Sequence, residues 1–252
     1  MPVKSNKQPD YVPEKSGDSI RNANFRMAEA YKLIRTNLLF TLANTDNRAV
    51  AFTSAEPNAG KSTTCCNLGI VMAQTGARVV VVDADMRKPT QHRNFRVSKI
   101  EGLSKILGGL SSLDECVQKN VVPNLDLIPS GAIPPNPSEL LGSARMAELL
   151  AELRRRYDYV FLDTPPLAVV ADALVMAPHI AGLVLIARQR QTTYDELSEC
   201  VEAIRQIHAN LLGVIVSDVQ STGAGYSRYE KGRYYRSYNY EYGKYYDTKR
   251  NG

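Results

Sequence analysis

Nine consecutive residues, Ala55-Glu56-Pro57-Asn58-Ala59-Gly60-Lys61-Ser62-Thr63, carry the most specific chemistry in this chain. Small side chains let successive backbone N–H groups curl around phosphate oxygens, and a helix opening near Gly60 would aim the positive end of its dipole at them. Lys61 adds a point charge for the outer phosphates. Ser62 supplies a hydroxyl for a magnesium ion, with Thr63 a further hydroxyl beside it. Ala55, Pro57, Asn58, Ala59, Gly60, Lys61, Ser62 and Thr63 are therefore the candidate nucleotide contacts. The common pattern begins with glycine, so Ala55 departs from it by one methyl group. Three carboxylates extend the same chemistry: Asp83 and Asp85 in Asp83-Ala84-Asp85-Met86-Arg87-Lys88-Pro89, and Asp163 in Asp163-Thr164-Pro165-Pro166. Any one could cap a turn. Three of them at the ends of apolar runs, in a chain with such a loop, are better explained by magnesium and phosphate.

The elements that must position these groups can be read from periodicity. Residues 48–54 before the loop, 78–82 before Asp83 and 157–163 ending on Asp163 are short apolar runs, the pattern of strands covered on both faces. Residues 63–76 carry Leu68, Ile70, Val71 and Met72 on a helix. Residues 24–42 also fit a helix, with Glu29, Lys32 and Arg35 near one face. That face reads either as a solvated surface with a weak ion pair or as a subunit contact. Short helices are expected at 103–107 and 113–117, and a strand at 124–129. A proline-rich loop from Ser130 then runs into a helix ending at Arg156. A strand at 181–187, a helix at 194–208 and a strand at 211–216 follow. The alternation predicts an α/β fold of the P-loop NTPase type, a mostly parallel β-sheet with helices on both faces.

A chain of 252 residues, 44% apolar, can build one sizeable domain with tails. The expected division is a polar, proline-bearing arm at 1–22, a domain at 23–220 and a tail at 221–252. Cys65, Cys66, Cys116 and Cys200 lack zinc or redox spacing and read as buried thiols, while His92, His179 and His208 share no metal spacing. No stretch reaches the apolar length of a membrane span and the N-terminus lacks a secretory core, which points to a cytoplasmic chain. The absence of Gly-x-Gly-x-x-Gly disfavours dinucleotides. Of the net charge of +5, residues 224–252 account for +4, with seven basic residues against three acidic ones. No nucleic-acid partner is expected from the nearly neutral remainder.

The tail holds nine of the fourteen tyrosines: Tyr226, Tyr229, Tyr234, Tyr235, Tyr238, Tyr240, Tyr242, Tyr245 and Tyr246. Aromatics among basic residues can stack on RNA bases. The rival reading, a set of phosphate acceptors, explains why tyrosine is the repeated residue without a further partner.

Taken together, these segments resemble the bacterial tyrosine kinase family, in particular the soluble kinase of capsule or exopolysaccharide assembly. Glu29-Ala-Tyr-Lys-Leu-Ile-Arg-Thr-Asn37 resembles the family's N-terminal helix motif and Ser54 to Thr63 its Walker A motif. Asp83 to Pro89 resembles the Walker A-prime motif, and Pro134-Pro-Asn-Pro-Ser-Glu-Leu-Leu141 a family loop. The resemblance runs from Phe25 to the C-terminus. It implies ATP and Mg2+ as cofactors, with Lys61 on the outer phosphates and Ser62, Asp85 and Asp163 around the metal. Asp83 is the candidate base, able to exchange roles with Asp85, and the nine tail tyrosines are acceptors in trans. Glu29, Lys32 and Arg35 would be contacts in a homo-oligomeric ring, with Lys32 where the family has arginine. A separate membrane-bound polysaccharide co-polymerase would activate the kinase and recruit it to the inner face of the plasma membrane, and a cognate tyrosine phosphatase would reverse it. Asn58-Ala59 replaces the family's Gly-Glu. The alternative is a MinD/ParA-like positioning ATPase; that family places a lysine five residues before the loop lysine, where this chain has Glu56.

Overall fold

The computed structural model describes residues 25–219. The arm, the tail and its nine tyrosines lie outside the described residues. The described residues up to Ser217 form one compact unit.

Helix α1 (Phe25–Thr41) precedes strand β1 (Ala49–Ser54), the phosphate loop and helix α2 (Lys61–Ala73). Strand β2 (Val79–Asp83) follows, then the short helices α3 (Gln91–Asn94), α4 (Leu103–Gly108) and α5 (Leu113–Cys116). Strands β3 (Gln118–Val122) and β4 (Leu125–Ile128) form a hairpin, and α6 (Pro137–Leu141) and α7 (Ala144–Arg156) lead to β5 (Tyr159–Asp163). Strand β6 (Gly182–Arg188), helix α8 (Tyr194–Gln206) and strand β7 (Leu211–Ser217) complete the order. One sheet holds the seven strands in the order β3-β4-β2-β5-β1-β6-β7, parallel except for β3 against β4.

The apolar runs are explained by burial on both faces. In β1, Ala49 and Ala51 point to one core while Val50 and Phe52 point to the other; in β2, Val80 and Val82 divide from Val79 and Val81 in the same way. Successive strand residues alternate faces, so a strand covered on both sides has no polar half. On the first face, α7 contributes Met146, Leu149, Leu150 and Leu153, and α8 contributes Cys200 and Ile204. On the second, α1 contributes Leu38, and Leu68, Ile70, Val71 and Met72 of α2 lie flush with the sheet. That approach is close: a Cβ at Gly69 would sit 3.0 Å from Leu125 and Val81 side-chain carbons.

Several short elements escaped the pattern reading, among them β3, α3 and the 3-10 turns Ala171–Ala173 and Ala177–His179, and the helix expected to end at Arg156 is divided into α6 and α7. Strand β3 is half-exposed, with the sequence Gln-Lys-Asn-Val-Val, and gains its place by pairing at the sheet edge. Helix α3 is a single turn, too short for any periodicity. The four cysteines are free and buried, as their spacing suggested.

Candidate active site

The chemistry gathers at the carboxyl ends of three neighbouring parallel strands, where open α/β sheets bind ligands. The loop follows β1, Asp83 ends β2 and Asp163 ends β5, and register places Asp83 beside Asp163 and Asp163 beside Phe52. Side chains fasten these strand ends together: Thr53 donates to the Pro165 carbonyl at 2.8 Å and Thr164 to the Phe52 carbonyl at 2.8 Å.

The loop itself needs unusual backbone angles. Gly60 sits at φ 91° and Asn58 at φ 64°, in the left-handed region that glycine enters freely and asparagine more readily than other side chains. The substitution of glycine by Asn58 is thus compatible with the turn. Ala55 and Ala59 are buried, and their methyl groups are absorbed into the two cores. Ser217, at the end of β7, donates to the Ala59 carbonyl at 2.6 Å, tying the loop to an outer strand. Glu56 accepts a hydrogen bond from Thr192 at 2.5 Å.

Lys61 is the hub. Its Nζ lies 3.0 Å from Asp85 Oδ2, 3.8 Å from Asp163 Oδ1 and 3.2 Å from Ser62 Oγ. Burial alone would lower its pKa, but the charges of Asp163 and Asp85 outweigh that and hold it above the usual lysine value. Asp85 also accepts from the Lys88 amide at 2.9 Å, so both its oxygens are engaged. Asp83 is fully buried; its Oδ2 accepts from the amides of Thr90 and Gln91 at 3.0 and 2.9 Å. Its Oδ1 has no hydrogen-bond partner among the described residues, nor has Oδ1 of Asp163. Burial pushes the Asp83 carboxyl well above the ordinary carboxylate range, with the charge of Asp163 adding to the effect; burial raises Asp163 too, against the pull of Lys61.

Gln91 and Asp172 belong to this centre although no motif marked them. Gln91 is fully buried and its amide bridges Asp163 Oδ2 at 2.8 Å and the Ser62 carbonyl at 3.0 Å. Asp172, also buried, grips Arg87 through Nε at 2.9 Å and Nη2 at 3.1 Å, and accepts from Ser138. The A-prime segment and the proline-rich loop are therefore one assembly.

A cavity of about 810 Å³ opens over this centre. Its wall includes Pro57, Asn58, Gly60, Lys61, Ser62, Thr63 and Asp85, but neither Asp83 nor Asp163. Among the described residues no three His, Cys, Asp or Glu side chains cluster in metal-ligand geometry. Magnesium does not require such a cage, since it takes one or two protein carboxylates together with phosphate and water. Asp163, whose Oδ1 accepts no hydrogen bond, and Asp85, with Ser62 close by, fit that donor set.

Glu29, Lys32 and Arg35 do not line the cavity. Lys32 and Glu29 pair within α1 at 2.7 Å, while Arg35 turns inward to the Val71 carbonyl of α2 at 3.3 Å.

A family model described as AAA domain matches residues 47–215. The chain is 41% identical over 190 residues to the tyrosine-protein kinase YwqD of Bacillus subtilis, covering 75% of this chain and 80% of that one. It is 36% identical over 214 residues to the tyrosine-protein kinase wzc of Salmonella typhimurium, covering 85% of this chain. That match spans 29% of the longer relative. Among solved structures, the kinase domain of Escherichia coli tyrosine kinase ETK aligns with a TM-score of 0.76 at 32% identity, covering 85% of each chain. The septum site-determining protein MinD of Pyrococcus horikoshii, complexed with Mg-ADP, aligns with a TM-score of 0.57 at 19% identity over 67% of this chain and 69% of its own, a likeness of fold alone.

Proposed function

Because this chain belongs to the bacterial tyrosine-protein kinase family, we propose that it transfers the γ-phosphate of ATP to tyrosines of its own tail, in trans, and so regulates capsule or exopolysaccharide synthesis. The observation that carries this reading is the meeting of Lys61, Ser62 and Asp85 on one cavity wall, in a chain whose other end is crowded with tyrosines.

Lys61 and the loop amides hold the β- and γ-phosphates, which requires Lys61 to leave Asp85. Magnesium, held by Ser62, Asp85 and Asp163, would neutralise charge on those phosphates. The acceptor phenol oxygen bonds to the γ-phosphorus as the bridge to the β-phosphate breaks, and ADP departs with that bridging oxygen. The phenol, with a pKa of about 10, enters protonated and must lose its proton as transfer proceeds. Asp83 is the proposed base: its Oδ1 is unclaimed and burial raises its proton affinity, whereas both oxygens of Asp85 are engaged.

Incubation of the full chain with labelled ATP should place phosphotyrosine on residues 226–246, read by mass spectrometry, and Lys61→Ala should abolish it. Hydrolysis stimulated by DNA or lipid with no phosphotyrosine would favour the positioning-ATPase reading instead. Glu56 stands against that rival, since it fills the position of that family's signature lysine and is held by Thr192.

Partners follow from the family. No helix among the described residues is long and apolar enough to cross a membrane, so we place membrane recruitment on a separate co-polymerase. Opposing phosphatase activity and assembly into a homo-oligomeric ring complete the reading, with exposed Lys32 and Glu29 on α1 as contacts and Arg35 setting how α1 rests on α2.

A further inference from the structure

The cavity has a second half that phosphate binding by the loop does not use. Besides the loop and Asp85, its wall carries Lys88, Arg93 and Lys99 with His92, and apolar side chains that include Ile133 and Val169. Lys88, Arg93 and Lys99 are exposed, and among the described residues none of the three forms an ion pair. Arg93 makes one long hydrogen bond, to the Pro89 carbonyl at 3.3 Å. Their neighbour Arg87 differs, being neutralised by Asp172. The cations stand close together: after burial, the charges of Lys99 and Arg93 are what lower the His92 imidazole. Among the described residues Asp85 is the one carboxylate on the wall, and Lys61 already holds it. Ile133 and Val169 are each 59% exposed, which leaves both available to an apolar group entering the cleft.

Resting on the kinase reading above, we propose that this half-cavity is an acceptor subsite for peptides that already bear a phosphate near the tyrosine to be modified. Lys88, Arg93 and Lys99 receive the phosphate of a finished phosphotyrosine, while Ile133 and Val169 pack against the ring of the next acceptor. The chemistry recognised is a dianionic group on a peptide, for which guanidinium and ammonium donors are suited. The tail is built for such a site: each of its nine tyrosines lies within five residues of another, a reach of roughly 17 Å in extended chain. The unmodified tail has seven basic residues against three acidic ones, so it is repelled by the same cations. The first transfer is therefore slow and each later one faster, and the tail moves toward full modification once begun.

The test uses the full chain and synthetic peptides of residues 230–240 with Tyr238 as acceptor and Tyr234→Phe and Tyr240→Phe. Position 235 carries Tyr235→Phe, Tyr235→Glu or phosphotyrosine. With wild type, kcat/KM for the phosphotyrosine peptide should exceed that for the phenylalanine peptide by about tenfold, with glutamate between them, since a single carboxylate offers less charge than a phosphate. In the double variant Arg93→Ala/Lys99→Ala the preference should fall to about one, and fluorescence anisotropy should show the phosphopeptide binding more weakly to nucleotide-free protein. No preference in wild type, a preference retained by the variant, or a rise in the KM for ATP that accounts for the loss would each overturn the subsite. Phosphopeptide binding that depends on Arg93 and Lys99, with no transfer to any peptide, would keep the subsite and overturn the kinase reading.

Discussion

At the scale of single residues, the centre contains one group that is costly to keep. Asp83 is a fully buried carboxylate with one unpartnered oxygen, and its pKa is raised well above the usual range. A carboxyl whose folded value is raised contributes stability that is fully present below its unfolded value, near 4, and that is lost as pH rises through the folded value. Asp83→Asn keeps an oxygen to accept the Thr90 and Gln91 amides while removing the charge. In protein freed of metal and nucleotide with EDTA, the melting temperature of the variant should therefore rise relative to wild type as pH increases from 4.5 to 8.5. A constant difference, or one that shrinks with pH, would show that Asp83 is not strained by its charge. The same substitution should remove phosphotyrosine formation, a gain of stability at the expense of activity that is common for groups kept for chemistry. A second residue prediction concerns Asn58. Placing a β-branched side chain at its φ of 64°, as in Asn58→Val, should cost about 1–2 kcal/mol in chemical denaturation, whereas Asn58→Gly should cost nothing.

At the scale of elements, the phosphate loop is held from outside its own strand and helix. Ser217 on β7 donates to the Ala59 carbonyl, and one such hydrogen bond contributes about 1 kcal/mol. Ser217→Ala should weaken ATP binding by about fivefold in calorimetry, with β7 still paired along β6. The contrast between Ser217 and Lys61 illustrates what the sequence reveals. Lys61 announces itself because a lysine between glycine and serine at a helix start is a local signature, as is a run of valines ending in Asp83. Alternation makes a mostly parallel sheet legible, whereas strand order, register and the joining of Asp83 to Asp163 come only with the pairing itself. Ser217, Gln91 and Asp172 carry no local signature: a serine, a glutamine and an aspartate acquire their roles only when distant strand ends meet. Strand β3 stayed hidden for a related reason, since its half-exposed residues have neither an apolar run nor clean alternation, and only the Pro123-Asn124 turn marks the hairpin.

At the scale of the whole molecule, charge links the two ends of the chain. Each phosphate adds about −1.5 to −2 charge, so two or three cancel or invert the tail's +4. On the proposed reading, unmodified tails would permit a ring, and multiply modified tails would repel one another and release it. Sedimentation velocity before and after phosphatase treatment should show a larger species after treatment. The same oligomer in both states would rule out a charge-driven switch.

Before ATP arrives, Lys61 already holds an anion, the carboxylate of Asp85. Loading is then an exchange in which the count of ion pairs is conserved and only the owner changes. The measured affinity reports the difference between two attractions to one ammonium group, and added salt, which screens both, should move it less than a bare phosphate site. On the proposed reading, Asp85 would give up its lysine as the phosphates are seated and turn to the magnesium ion that accompanies them.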